Sequence, residues 1–329
     1  MARKEVMTCR YLGSGGAPCV GEVQGKDGLC YWHDPGISKS GRGLKARLEA
    51  WAESGKSMEG FILKGADLEG VDLNHGDTSR RVNLSNADLS RASLRGARLF
   101  NIDLRGSNLF KANFEDANLN HGHLAGANLL GVQLHDATLE QVEWGEVLPQ
   151  QRQARNLRGE GSRAAARELY LEAEEICRNL SRAAAERGHF GLAGEFFYRE
   201  MVMRRMQMRL WSRQWFTSKL MDLICGYGEL PVRVIGFSLS IILISAFLFF
   251  IFGVSGGGGA IVYRAEAGFT ENLLIFLNCL YYSVVTFTTL GYGEIVPLGA
   301  VRAVAAVEAF IGAFTIGLFL VVFVKKMAR

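Results

Sequence analysis

Two groups of residues have the types and spacing to do chemistry. The first is Thr289-Leu290-Gly291-Tyr292-Gly293, followed by Glu294. Small residues with glycine at every second position free the backbone to aim successive carbonyls one way. A ring of such carbonyls can replace the hydration shell of a cation. One copy encloses nothing, so this chemistry demands a ring of subunits. The second group is Cys9, Cys19, Cys30 and His33. Three soft thiolates and an imidazole suit tetrahedral zinc, in a structural role because four protein ligands close the shell. Cys30 and His33 have a usable local spacing, the longer intervals match no standard finger, and unrelated free thiols are the alternative. A short Gly-rich segment without its own core would need such a staple.

The elements around the first group are apolar. Residues 234–254 carry no charge over 21 positions, which as a helix is about 31 Å, enough to cross a ~30 Å hydrocarbon core. A second span is expected at 301–324, interrupted by Arg302 at its edge and Glu308 inside. Between them residues 273–289 are apolar but short, which suits a half-crossing helix entered at a Thr270-Glu271 cap and ending near Thr288. Its negative dipole end would then favour a cation. Arg204, Arg205, Arg209, Arg213, Lys219 and Arg233 precede the spans and Lys325, Lys326 and Arg329 follow them, whereas the intervening loop has Arg264 against Glu266 and Glu271. The positive-inside rule puts both termini in the cytoplasm, and the start of the chain lacks the apolar run of a signal peptide. Gly226-Tyr227-Gly228-Glu229 repeats the letters GYGE without a preceding helix and reads as the turn into the first span. Residues 256–259 are four glycines without a GK[ST], read as a flexible outer loop. No helix has the basic periodicity of a voltage sensor.

In this context LYYSVVTFTTLGYGE, Leu280 to Glu294, resembles the pore helix and signature filter of potassium channels. The resemblance covers about 232–324 and implies an outer helix at 232–254, a pore helix at 271–288, a filter at 289–293 and an inner helix at 301–324. It implies four stacked potassium sites lined by carbonyls from Thr289 to Tyr292 and by the Thr289 hydroxyl. The departures are Leu290 for the usual Val, Glu294 for the usual Asp at the outer mouth, and Val285 where some bacterial relatives carry a buried Glu. They bear on inactivation rather than on cation selectivity. Gly312 stands where the family has its inner-helix hinge, and Gly317 is a second candidate. Ile316, Leu320 and Val324 recur every four residues and would form a hydrophobic constriction, or else a lipid-facing stripe. For Glu308 a hydrogen bond to the pore helix is expected rather than ion contact.

Upstream the period changes. From Leu84 apolar centres recur every fifth residue to Leu139 and Trp144, two residues after small ones such as Ala87, Ala92 and Ala97; Leu63, Leu68, Leu73 and Thr78 form an earlier block, offset by one inserted residue near 79–81. These seventeen units fit neither a helix nor a strand and signal stacked repeats that need caps. The A-[DN]-L-x-x consensus of GADLEG, NADLSR and GANLLG resembles the pentapeptide-repeat family. That implies a right-handed four-sided β-helix over 60–148 in which the centres and the preceding small residues point inward and the other positions face solvent. Some relatives mimic DNA, but residues 61–148 hold 12 acidic and 8 basic side chains, a net of −4, with Arg80, Arg81, Arg91, Arg95, Arg98 and Arg105 clustered. A scaffold or sensor fits better.

Residues 149–163 read as a polar linker, 163–187 as a helix, Gly188-His189 as a turn and 190–223 as a second helix. Ala165, Leu169, Tyr170, Ala173 and Ile176 would face Ala193, Phe197, Tyr198 and Met201 in a hairpin that resembles the tetratricopeptide type. Trp211, Trp215 and Phe216 beside the arginines suit a helix lying on the membrane surface. The expected organisation is therefore a multidomain membrane protein: 1–40 a Cys/His-rich segment, 60–148 the β-helix, 160–225 a cytoplasmic helical connector, and 232–324 an all-α two-span pore domain. The 37 Lys+Arg against 33 Asp+Glu leave +4, too mild to argue for nucleic acid. No nucleophile, general base or cofactor fingerprint appears, so no enzyme is expected. The expected partners are three further copies, membrane lipids and an unidentified regulatory ligand or protein; the expected ions are permeant K+ and structural Zn2+, in the inner membrane. A non-selective cation channel and a membrane-tethered scaffold with a vestigial pore are the alternatives.

Overall fold

The computed structural model describes residues 8–24, 27–41, 43–74, 81–257 and 259–327. The chain divides into two compact units between Met208 and Arg209, inside the stretch expected to be one connector. Each unit is described by itself.

In the first unit, isolated antiparallel bridges Thr8↔Glu22, Leu12↔Pro18 and Val23↔Cys30 lead to helix α1, Leu44–Glu53, which buries Leu44, Leu48 and Ala52. The repeats follow. Among the described residues of the repeats only Val82–Asn83 (β1) and Ile102–Asp103 (β2) count as strands, paired in parallel. Beyond the first coil the rest of the stack is single parallel bridges, Asp88↔Asn108, Ser93↔Asn113, Arg98↔Asn118 and onward to His123↔Glu143, all offset by 20 residues, or four pentapeptides. Leu89, Leu94, Leu99, Leu104, Leu109 and Phe114 are buried, as are Ala87, Ala92 and Ala97.

A second periodicity lies beneath the apolar one. Asn86, Arg91, Gly96, Asn101, Gly106, Lys111, Asp116 and His121 all have φ between 54° and 68°. Each is the third residue of a turn closed by a bond such as Ala92 N–H to the Leu89 carbonyl at 3.0 Å. A left-handed third residue is what that turn requires, and Gly, Asn and Asp supply it at least cost. The residue just before a centre faces solvent as expected at Asp67, Arg98, Gln133 and Glu143, but not at others. Asp88, Asn108, Asn113 and Asn118 are half-buried and Asp103 is buried. Each accepts a bond from the backbone N–H two residues on, at 2.8–3.3 Å. Asn128 Nδ2 donates to Asn108 Oδ1 and Asn108 Nδ2 to Asp88 Oδ1, both at 3.2 Å, making a side-chain ladder across coils.

The offset is 26 residues in the first coil, at Ile62↔Asp88, Asp67↔Ser93 and Asp72↔Arg98. The extra length is therefore six residues, the single inserted residue expected and one pentapeptide besides. Thr78 and Arg80 fall in 75–80, outside the described residues.

Residues 149–159 are not linker but helix α2, Pro149–Gly159. Proline at its start has the right φ and loses no bond there, and Gln150, Gln151 and Ala154 are buried on one face. Gln150 Nε2 donates to Asn128 Oδ1 at 2.7 Å, continuing the ladder and capping the stack. Helices α3, Arg163–Glu186, and α4, Phe190–Met206, form the expected hairpin. Its seam uses Ala166, Tyr170, Ala173, Ile176, Phe196 and Met203; Ala165 is exposed, and Leu169, Phe197, Tyr198 and Met201 are only half-buried. Phe196 meets Trp144 edge-on at 5.6 Å. Across the hairpin Glu174 and Glu200, both buried, share Arg178 and Arg204. The second helix does not run to 223. It stops at Met206, and Trp211 is left-handed at φ 64°.

In the second unit, α5 is Arg213–Cys225, capped by Ser212 Oγ accepting from Trp215 N–H at 3.1 Å. Gly226–Gly228 is a single 3-10 turn, as expected of a non-pore GYGE, and α6 is Pro231–Phe252. It stops two residues before the expected 254 because Gly253, at φ 87°, ends it and Val254–Gly256 is strand β3. Gly259–Ile261 is β4, so the supposed flexible loop contributes to a sheet; Gly258 is outside the described residues. Helix α7 is Phe269–Phe287, Ile295–Pro297 is β5, and α8 is Val301–Met327. The sheet order is β4-β3-β5, all antiparallel, with Val254 opposite both Ile261 and Pro297. Helices α6 and α8 are long and apolar enough to span a membrane, and only 28% and 22% of their most apolar stretches are buried in one chain, unlike the core helices of a soluble protein.

Two outcomes test the stack. Phe114→Ala removes a fully buried ring and should cost about 3–5 kcal/mol, read as a fall in the unfolding midpoint of the repeat unit. Burial pushes the Asp103 carboxyl up, but bonds from the Arg105 side chain and backbone outweigh it and hold the carboxyl below its usual range. A depressed folded-state value stabilises above the unfolded value of about 3.9 and is lost as pH falls through the folded one. Asp103→Asn should lower thermal stability at neutral pH and flatten its decline on acidification.

Candidate permeation site and metal cluster

Helix α7 begins one to two residues earlier than expected, with Gly268 as its cap and Glu271 in its first turn, where a carboxylate suits the positive dipole end. The Asn272 side chain holds the entry, accepting from Arg264 N–H at 3.2 Å and donating to the Arg264 carbonyl at 2.9 Å. At the other end Thr288 caps α7, and Leu290 N–H still reaches the Val285 carbonyl at 3.0 Å. Residues 289–294 then leave the helix end fully exposed in the single chain, Leu290 at 58% and Tyr292 at 67%. Thr289, Gly291 and Gly293 have φ of 56°, 59° and 88°, and Leu290 and Tyr292 between them are not left-handed. Where right-handed helical residues stand between left-handed ones, such alternation turns successive N–H groups to one side and carbonyls to the other. For Thr289, a β-branched residue, the left-handed conformation is strained.

Neither Tyr281 nor Ser283 was singled out by the sequence; the first holds this segment and the second fixes the helix it leaves. The Tyr281 hydroxyl donates to the Glu294 carboxylate, tying the end of the segment back to α7. Ser283, fully buried, donates to the Ile242 carbonyl of α6 at 2.8 Å and bonds Glu308 of α8, so one hydroxyl joins three helices. Glu308 is thus hydrogen-bonded to the pore-helix segment, as expected; its Oε2 is buried with no partner among the described residues. A serine in the middle of an apolar helix was the available signal.

The two glycines of α8 differ. Gly312 is buried, and a Cβ there would run into the Phe287 carbonyl oxygen at the end of α7. Gly317 has open space around it, and α8 runs through both positions unbroken. Ile316, Leu320 and Val324 are 47%, 61% and 52% exposed in one chain. At the base of the unit Lys325 pairs with Glu229 at 2.5 Å and Arg233 with Asp222.

In the first unit the four sequence-selected ligands do come together. Cys9, Cys30 and His33 are buried and Cys19 half-buried, and their ligand atoms all lie within 4.8 Å of one another. None of the three cysteines is in a disulfide. Burial pushes the Cys19 thiol up to about 12 and holds His33 below its ordinary value.

Substitution separates the two glycines. Gly312→Ala should destabilise the second unit by about 1–3 kcal/mol through overpacking, lowering the yield of monodisperse detergent-solubilised protein, whereas Gly317→Ala should give the wild-type profile on size exclusion.

Residues 237–329 match the family model described as ion channel, and residues 80–106 and 107–142 match pentapeptide repeats in eight copies. No curated protein matches the chain. Among solved structures, HetL, a pentapeptide repeat protein involved in heterocyst differentiation regulation from the cyanobacterium Nostoc sp. strain PCC 7120, is 34% identical over 26% of this chain and 37% of its own, with a TM-score of 0.23. Rfr23 from the cyanobacterium Cyanothece 51142 is 33% identical over 27% and 59%, with a TM-score of 0.19. A pentapeptide repeat protein from Nostoc PCC 7120 is 28% identical over 31% and 84%, with a TM-score of 0.20. The chain therefore spans less than two thirds of the length of the first two. Neither family is one of enzymes. The chain carries an ion-channel domain of the two-helix type, joined to a pentapeptide-repeat domain.

Proposed function

We propose that four copies of this chain form a potassium-selective channel in which Thr289, Leu290, Gly291, Tyr292 and Gly293 are the filter. The observation that carries the reading is the alternation of left-handed φ at Thr289, Gly291 and Gly293 on an exposed segment leaving the carboxyl end of α7. Four such segments around an axis would present stacked carbonyl rings, and the dipole ends of four α7 helices would favour the cation entering them. Exposure of the segment in one chain fits a surface that assembly covers. Glu294, tied to Tyr281, stands at the outer mouth, α6 and α8 cross the inner membrane, and both termini lie in the cytoplasm.

Ile316, Leu320 and Val324 form the inner constriction. Of the two hinge candidates, Gly317 fits bending better, because Gly312 is occupied in close packing against Phe287. The repeats form a right-handed four-sided β-helix, supported by the 20-residue offset of four pentapeptides. It serves as a scaffold or regulatory module, and the helices between it and the pore pass its state to α6.

Purified protein in liposomes should release potassium, and Gly291→Asp should abolish the flux. Bi-ionic reversal potentials should lie far toward the potassium equilibrium potential; equal sodium and potassium currents would overturn selectivity. Native mass spectrometry in lipid should give tetramers, and a monomer or dimer would remove the pore altogether.

A further inference from the structure

The Cys9, Cys19, Cys30 and His33 cluster is used by nothing in the permeation reading. We propose that it is a zinc site whose metal clamps the N-terminal segment onto the first coil of the repeat stack, closing the open end of the stack.

Three of the edges are those of a coordination polyhedron, and all four ligand atoms lie within 4.8 Å of one another. With Zn–S of ~2.3 Å and Zn–N of ~2.0 Å, a tetrahedral site has S···S edges of ~3.8 Å and S···N edges of ~3.5 Å. Cys19 Sγ and Cys30 Sγ are 3.8 Å apart, Cys9 Sγ lies 3.6 Å from His33 Nδ1, and Cys30 Sγ lies 3.3 Å from it. A disulfide between Cys19 and Cys30 would need ~2.05 Å and would leave Cys9 and His33 converging on nothing.

The groups behind the ligands are set for metal. His33 Nε2 is 2.8 Å from the Glu59 carbonyl. A carbonyl only accepts, so Nε2 carries the proton and the Nδ1 lone pair is directed into the cluster. Cys30 N–H donates to Cys9 Sγ at 3.2 Å and Gly21 N–H to Cys19 Sγ at 3.4 Å, bonds that favour thiolates. A Cβ on Gly21 would lie 2.8 Å from Cys30 Cβ and 2.9 Å from its Sγ, so only glycine leaves room for the third thiolate.

The clamp reaches the stack through the histidine. Glu59 immediately precedes the first coil, the Glu59 carboxylate accepts from Ser14 N–H at 2.7 Å, and Ile62 N–H donates to the Trp32 carbonyl at 2.8 Å. Trp32 stacks on Phe61 at 5.1 Å. These contacts cover backbone groups that an open end of a stack would leave unpaired. Among the described residues, 8–33 contain no helix and only three isolated bridges, too little to hold this cover without metal.

The test uses the full chain in lipid nanodiscs. Elemental analysis should find about one zinc per chain in the wild type and in Cys177→Ala, whose thiol lies in α3, and much less than half in Cys30→Ser. Exchange of Co2+ into the wild type should give the thiolate charge-transfer band and the intense d–d bands of a four-coordinate sulfur-rich site. Chelation should expose residues 8–33 to protease while the repeats from Val82 onward stay intact. Iron in place of zinc, a Cys19–Cys30 disulfide by mass, no tetrahedral cobalt spectrum, or zinc retained in Cys30→Ser would each overturn the proposal. If Cys30→Ser does not fold, the cobalt spectrum of the wild type decides.

Discussion

The close approach of α8 to the carboxyl end of α7 is the constraint on which the second unit depends. A helix carrying any side chain at position 312 could not sit against the Phe287 carbonyl. One turn away, Glu308 bonds the same Ser283 that holds α6. The glycine permits the approach and the carboxyl fixes its register, so the end of α7 is held from two sides. The filter segment starts there, and its geometry can be no better defined than that end. A buried carboxyl is costly unless bonded, which makes the Ser283 contact a specification of helix position as much as a source of stability.

The first unit answers a different demand. A coil of short pieces has few consecutive strand residues, so its backbone groups must find partners one coil away. Left-handed residues at every fifth position turn the chain at each corner and keep the amides pointing along the stack. The half-buried Asp and Asn side chains finish the pairing at the corners and link to each other between coils. The apolar centres supply burial, and the corner residues decide where that burial can occur.

Much of this was legible in the sequence, for stateable reasons. The five-residue spacing, the uncharged run of α6 and the short α7 follow from composition and period, and each appears within a few residues of its expected place. The left-handed corners were written as the Gly or Asn of GAD and NAD, but Arg91 and Lys111 occupy the same conformation and conceal the rule. Helix α2 was hidden because a polar composition reads as linker unless the cap of a neighbouring stack is known to need burying. The break after Met206 was hidden because no Gly or Pro marks it. The four metal-site candidates were identifiable by type, but the groups that orient them, Gly21 and the Glu59 carbonyl, have no side-chain signature.

The 20-residue offset also limits how the chain can change in length. Adding or removing a single pentapeptide within the stack would carry every later residue to a neighbouring side relative to the coils before it, so the Asp and Asn side chains of successive coils would no longer meet. A whole-coil gain or loss leaves that meeting intact. Variation among homologous sequences should therefore come in increments of 20 residues, or as outgrowths at one corner like the six-residue surplus that makes the first offset 26.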